Sequence, residues 1–146
     1  MHSVGAQLDE SEILLRRVPP DSPQLRTTVE RGDGGLRATT PVMSTRKGKD
    51  EEHLSCSRLC LTSPRRLLED LRNDGIDPAG WQICQFKVAD VMELDLEIEF
   101  TPTDRDPGHC SITGVEGLAY PNSKAQKLAR RTRVLTVDEI DKSRSQ

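Results

Sequence analysis

Leu94-Asp95-Leu96-Glu97-Ile98-Glu99-Phe100 alternates apolar and acidic residues without a miss. Thr101 to Gly108 then supplies Pro102, Asp104, Asp106, Pro107 and Gly108 before Cys110-Ser111-Ile112 resumes. A period of two is the mark of a half-buried strand, so Leu94–Phe100 reads as one strand with an acidic, solvated face that also discourages edge pairing. The residues that follow are turn chemistry, and Cys110–Ile112 reads as a second short strand. The strand is architectural and holds the 104–109 loop at a sheet end.

Upstream, Trp81 to Val88 reads as a strand whose Cys84, Phe86 and Val88 share a face, followed by a helical turn over Ala89–Glu93. Ser63 as N-cap and Pro64 at the first helical position open the clearest helix, with Leu67, Leu68 and Leu71 on one face and Asn73-Asp74-Gly75 closing it. Leu59-Cys60-Leu61, after His53–Ser57, reads as a short buried strand. Ile13 to Val18 reads as the first strand, ended by Pro19-Pro20, which supply no backbone donor. Residues 21–49 read as a long loop with a brief extended segment at Leu36–Val42, and Gly48 with nearby charges favours mobility. Downstream, Ser123 caps a last helix with Ala125, Leu128 and Ala129 as its apolar stripe, and Val134, Leu135 and Val137 suggest a terminal strand. These elements predict a single α+β domain over residues 12–137, with an antiparallel or mixed sheet and two short helices, between a flexible tail (1–11) and a charged tail (138–146).

At 146 residues one core is expected. Apolar residues and glycine together reach about 41%, under the usual 45–50%, which fits frayed ends and a long loop. A net charge of −3 exerts no global pull on nucleic acid or anionic membrane. No apolar run approaches the roughly 18 residues of a membrane span, and the N-terminus is acidic where a signal peptide is basic and then apolar. A cytoplasmic protein without membrane contact is expected. In that compartment Cys56, Cys60, Cys84 and Cys110 are free thiols, and Cys60 and Cys84 read as small buried hydrophobes.

Four constellations carry possible chemistry. His53, Cys56, Cys60, Cys84, His109 and Cys110 suit zinc by type, but no Cys-x2-Cys knuckle is present, so no metal is expected. Cys110 as a nucleophile needs a base, and His109 beside it on a strand points to the other face. Arg16 or Arg17, His53, Ser55, Arg58 and His109 lie at strand ends or loop margins, where they can converge on an anion. The plainer reading is a set of surface residues plus one histidine that pins its own loop. Last, residues 123–133 carry Lys124, Lys127, Arg130, Arg131 and Arg133 with no acidic residue. This basic helix suits a protein partner or nucleic-acid phosphates, but it lacks the interleaved aromatics of a base-stacking surface, and a solvated face explains it as well. No phosphate-binding glycine loop, His-Glu-x-x-His or nucleophile elbow occurs, so no cofactor is expected.

Leu15–Pro20 (LRRVPP), the serine-rich Leu54–Arg58, Pro102–His109 with its Asp-Pro-Gly-His, and Ser123–Arg131 follow one another in an order that resembles a group of small, largely uncharacterised bacterial proteins. That resemblance implies a bacterial protein and brings no activity with it. A fainter analogy is to ADP-ribosyltransferase-like folds, with Arg16 or Arg17 and Ser55 comparable to that fold's arginine and serine strands; no glutamate stands in the third position. The expected function is a small intracellular binding or accessory protein that meets a partner through a polar cleft or the basic helix. The alternatives are a nucleotide-processing enzyme with Arg16 or Arg17, His53 and His109 about one pocket, and a non-catalytic subunit of a larger assembly.

Overall fold

The computed structural model describes residues 8–45, 53–114 and 119–143. The tail expected over 1–7, the loop segment 46–49 and the last residues, 144–146, lie outside them. Strand β1 (Ile13–Val18) is buried on both faces, with Leu14 and Val18 on one side and Leu15 on the other, which is the pattern of a central strand. β4 (Leu54–Arg58) flanks it on one edge and β5 (Gln82–Lys87) on the other. β7 (His109–Thr113) and β6 (Glu97–Phe100) extend the sheet beyond β4, and β8 (Arg133–Val134) closes the far edge. The order is β6-β7-β4-β1-β5-β8, with every pairing antiparallel, in a single α+β domain.

Two apolar layers cover the sheet. On one face Leu14, Cys56, Cys84, Phe86, Cys110 and Ile112 pack in one cluster with Ala125, Leu128 and Ala129 of helix α3 (Asn122–Arg130). On the other, Leu15, Ile83 and Leu135 meet Leu67 of α1 (Pro64–Asn73) and Ile140 of α4 (Val137–Ser143). Helix α1 starts as its sequence dictates, with Pro64 at the first position and Ser63 Oγ accepting from Arg66 N–H at 3.1 Å. It ends in a Schellman turn: Gly75 takes φ +82°, and Ile76 N–H reaches the Leu71 carbonyl at 2.9 Å.

Several expectations are corrected. The strand expected from Leu94 starts only at Glu97, because Leu94 caps α2 (Val88–Glu93) and Asp95 adopts φ +58°. The inward and outward alternation survives this turn, since Leu94 and Leu96 are buried while Asp95, Glu97 and Glu99 are exposed. Leu59–Leu61 is a 3₁₀ turn rather than a strand, and Cys60 is exposed. The long loop contains a hairpin of β2 (Thr28–Glu30) and β3 (Leu36–Ala38) and a 3₁₀ turn over Thr40–Met43, anchored by buried Ala38, Val42 and Met43. Residues 8–11 are docked as well: Leu8 packs on the core, and Ala89 N–H donates to the Glu10 carbonyl at 3.0 Å.

Helix α3 begins at Asn122 after Pro121, without the Ser123 cap expected. The terminal strand stops at Val134, and residues expected as charged tail form α4, because Ile140 covers Leu135 and Leu67. Four α-helices among the described residues therefore replace the two expected. None of them is long and apolar enough to cross a membrane.

Candidate functional site

The register between β4 and β7 sets the site. Arg58 N–H donates to the Gly108 carbonyl at 2.8 Å, which makes that facing pair hydrogen-bonded. Counting back along the ladder, Ser57 with His109 and Ser55 with Ser111 are non-hydrogen-bonded pairs, where facing side chains come closest. All four lie on the face that carries Leu15, because Leu15 pairs with Ser57. Arg17, two residues on from Leu15, projects to the same side.

Asp106 completes the cluster from the 101–108 loop. One of its carboxylate oxygens accepts from the buried Ser57 hydroxyl and the other from Gly108 N–H at 3.0 Å. Thr103 holds the loop closed, its hydroxyl accepting from Asp106 N–H at 2.9 Å. His109 Nδ1 stands 3.0 Å from the Thr101 carbonyl oxygen and 2.9 Å from its hydroxyl. Through these contacts His109 pins its own loop. Arg17, Ser55, Ser57, Asp106 and His109 line a cavity of about 70 Å³ beside Leu67, room for about two waters.

A groove of about 300 Å³ lies further along α1, walled by Leu25, Leu71, Ile76, Trp81 and Asp74. Arg16 and Arg17 line both cavities. The loop that supplies Asp106 reaches the groove too, because Arg105 forms an ion pair with Asp74.

The other sequence candidates are distributed differently. Arg16 alternates to the opposite face, where Nε donates to the Val42 carbonyl at 2.8 Å and Nη1 to the Ser55 carbonyl at 2.6 Å. Arg58 also lies there, bonded through Nη2 to Glu12 at 3.0 Å and with its guanidinium 4.8 Å from the Phe100 ring centre. That pair lowers the Glu12 carboxyl below its ordinary range and raises Arg58. Arg58 is thus a brace between the start of β1 and the end of β4, not a member of the cleft. His53 stands four residues from Ser57, roughly 13 Å along the strand, and lines neither cavity. It does not join His109.

The cysteines are not placed for nucleophilic work. Cys56 and Cys110 face each other in register on the buried side, and the Cys56 thiol is raised well above its ordinary value by its hydrogen bond with Cys110 and by burial. Burial pushes Cys84 up to about 12. No group of three or more metal-ligating side chains occurs among the described residues.

The basic helix is partly neutralised within the fold. Lys124 donates to the Leu94 carbonyl, Arg131 pairs with Asp90 at 3.1 Å and with Glu93, and Arg133 pairs with Glu139 at 2.9 Å. Lys127 and Arg130 are exposed and make no ion pair among the described residues.

Ser57 and Asp106 are the residues that sequence reasoning passed over. Alternation from Ser55 put Ser57 on the same face, so that signal was present; Asp106 was taken only as turn chemistry. No protein-family model, no curated protein and no solved structure matches the chain.

Proposed function

We propose that this is a binding or accessory protein that meets its partner through the polar cleft on the α1 side of the sheet. The observation that carries this reading is the convergence of Arg17, Ser55, Ser57, Asp106 and His109 on one cavity at the end of α1. Their polar groups are held in place by a strand ladder and a self-bonded loop, which is how a rigid recognition surface is built. The α3 face supports the reading less, since Lys124 and Arg131 are already engaged within the fold.

The proposed setting is the cytosol of a bacterium. Four free thiols and the resemblance of the Leu15–Pro20 and Pro102–His109 segments support it. The alternative of a nucleotide-processing enzyme keeps Arg17, Ser55 and His109 about one pocket, but the Arg16 guanidinium is bonded on the opposite face, His53 lies outside the pocket and no glutamate lines it. A role as a non-catalytic subunit is one form of the same binding reading.

Affinity capture from a bacterial lysate tests the cleft. The tagged full chain is compared with a Ser55→Arg/His109→Gln variant and with a Lys127→Ala/Arg130→Ala variant. We expect the first variant to lose a partner that the second retains; retention by the first and loss by the second would assign recognition to α3 instead.

A further inference from the structure

We propose that the groove at the C-terminal end of α1 takes a small organic monoanion, its apolar body lying along Trp81, Leu71 and Ile76 and its charged group on Arg17. The proposal rests on the reading that the α1 side of the sheet is the binding side, and it adds a ligand class to that reading.

Size is the first argument. About 300 Å³ stands at the bottom of the range for drug-sized ligands, too small for a dinucleotide and ample for one ring system or a short chain. The walls supply the second. Leu25 and Ile76 are about 40% exposed, and together with half-buried Trp81 they line one groove, so their exposed apolar surface is gathered at a single place.

Charge supplies the third argument. Asp74 is the single carboxylate lining the groove, and Arg105 already pairs with it. Arg17 lines the groove and makes no ion pair with any described residue. A groove that joins apolar side chains to an arginine without an ion-pair partner complements a molecule that is apolar except for one carboxylate, sulfate or sulfonate group, which can accept a forked pair of hydrogen bonds.

Trp81 is the chain's single tryptophan and so the one indole donor for energy transfer to a bound probe, while the Arg17 and Leu25 variants below report whether the probe sits at this groove. The probe is anilinonaphthalene sulfonate, an aromatic body with one sulfonate; N-phenylnaphthylamine is its neutral counterpart. With the native full chain we expect saturable transfer from Trp81 to the sulfonate at one site, and weaker binding of the neutral probe.

Arg17→Met should weaken the sulfonate about tenfold and leave the neutral probe unchanged, as loss of a charge-assisted contact requires. Arg17→Lys should recover part of the loss. Leu25→Glu, a change on the exposed rim that leaves the sheet intact, should weaken the sulfonate in the same direction by placing a carboxylate at the mouth. Arg130→Met should change nothing. Equal affinity for the two probes, or a sulfonate affinity that neither Arg17→Met nor Leu25→Glu lowers, would overturn the proposal. If those results came with loss of partner capture in the Ser55→Arg/His109→Gln variant, only the ligand class would fall; if capture also persisted, the binding side itself would be wrong.

Discussion

One face of the six-stranded sheet is divided between two treatments. Over β1, β5 and β8 it carries Leu15, Ile83 and Leu135 and lies beneath α1 and α4. Over β4, β7 and β6 it carries Ser55, Ser57, His109, Ser111, Thr113, Glu97 and Glu99, none of which belongs to the apolar cluster beneath α1 and α4. The backbone is the same antiparallel ladder in both halves, so the side chains at alternate positions decide which half is roofed. Apolar residues there draw a helix down, because burying each one fully contributes about 1.5–3 kcal/mol. The polar residues of the other half draw no such cover: Ser55, Glu97 and Glu99 are exposed, and Ser57 is buried against Asp106. The boundary between the halves runs along β1 and β4, and both cavities lined by Arg17 lie along it.

The contrast is most directly broken by changing one residue on each side of that boundary. Leu15→Ala, under the roof, should cost about 2–5 kcal/mol and lower the urea midpoint of unfolding accordingly. Ser55→Ala, on the open half, should stay within about 0.5 kcal/mol of the parent. Equal losses would mean that the open half is also structural. Ser57→Ala should cost about 1.5–3 kcal/mol, the net worth of a hydrogen bond to a carboxylate. Amide exchange at Gly108 should quicken in that variant if the bond holds the loop, and unchanged exchange would detach the loop from β4.

Another small effect belongs to the roof's edge, where Arg133 pairs with Glu139 of α4. Hydrogen bonds from Arg133, and then the Thr136 amide, pull the Glu139 carboxyl down to about 2 from an ordinary 4.5. A depressed carboxyl contributes its stability in full above the ordinary value and loses it as pH falls through the folded one. At this exposure the contribution is under about 1 kcal/mol. The stability difference between the parent and Glu139→Gln should therefore shrink between about pH 4.5 and pH 2, and a constant difference across that window would remove the ion pair from the account.

The roofed half was legible where local rules are strong. Ser63-Pro64 and Asn73-Asp74-Gly75 bound α1 in the sequence as in the fold, because a cap, a proline and a glycine each satisfy backbone requirements that tertiary packing does not override. α4 was hidden, since Ile140 stands among Asp138, Glu139, Asp141 and Lys142 and its helix follows from cover for Leu135 rather than from periodicity. The 94–100 alternation gave the right faces and the wrong start, because Asp95 turns the chain through a positive φ without disturbing which residues point inward. On the open half, Arg17, Ser55 and His109 were visible as candidates, and register brought them together with Ser57. Arg58 and His53 fell away for the same reason: facing and position along a strand depend on pairing, and pairing is long-range.

The central position of β1 also shapes how the molecule is made. Of the six strands in the sheet it is synthesised first, yet Leu14 pairs with Arg58 and Phe86, the latter 72 residues later in the chain. At roughly 5–20 residues per second the ribosome takes several seconds to deliver that neighbour. The first partner to emerge is Leu54–Arg58, so until then Ile13-Leu14-Leu15 is an apolar segment without a strand to pair with, and Arg16-Arg17 within the same strand place two charges beside it, the kind of residue that disfavours pairing with a wrong edge.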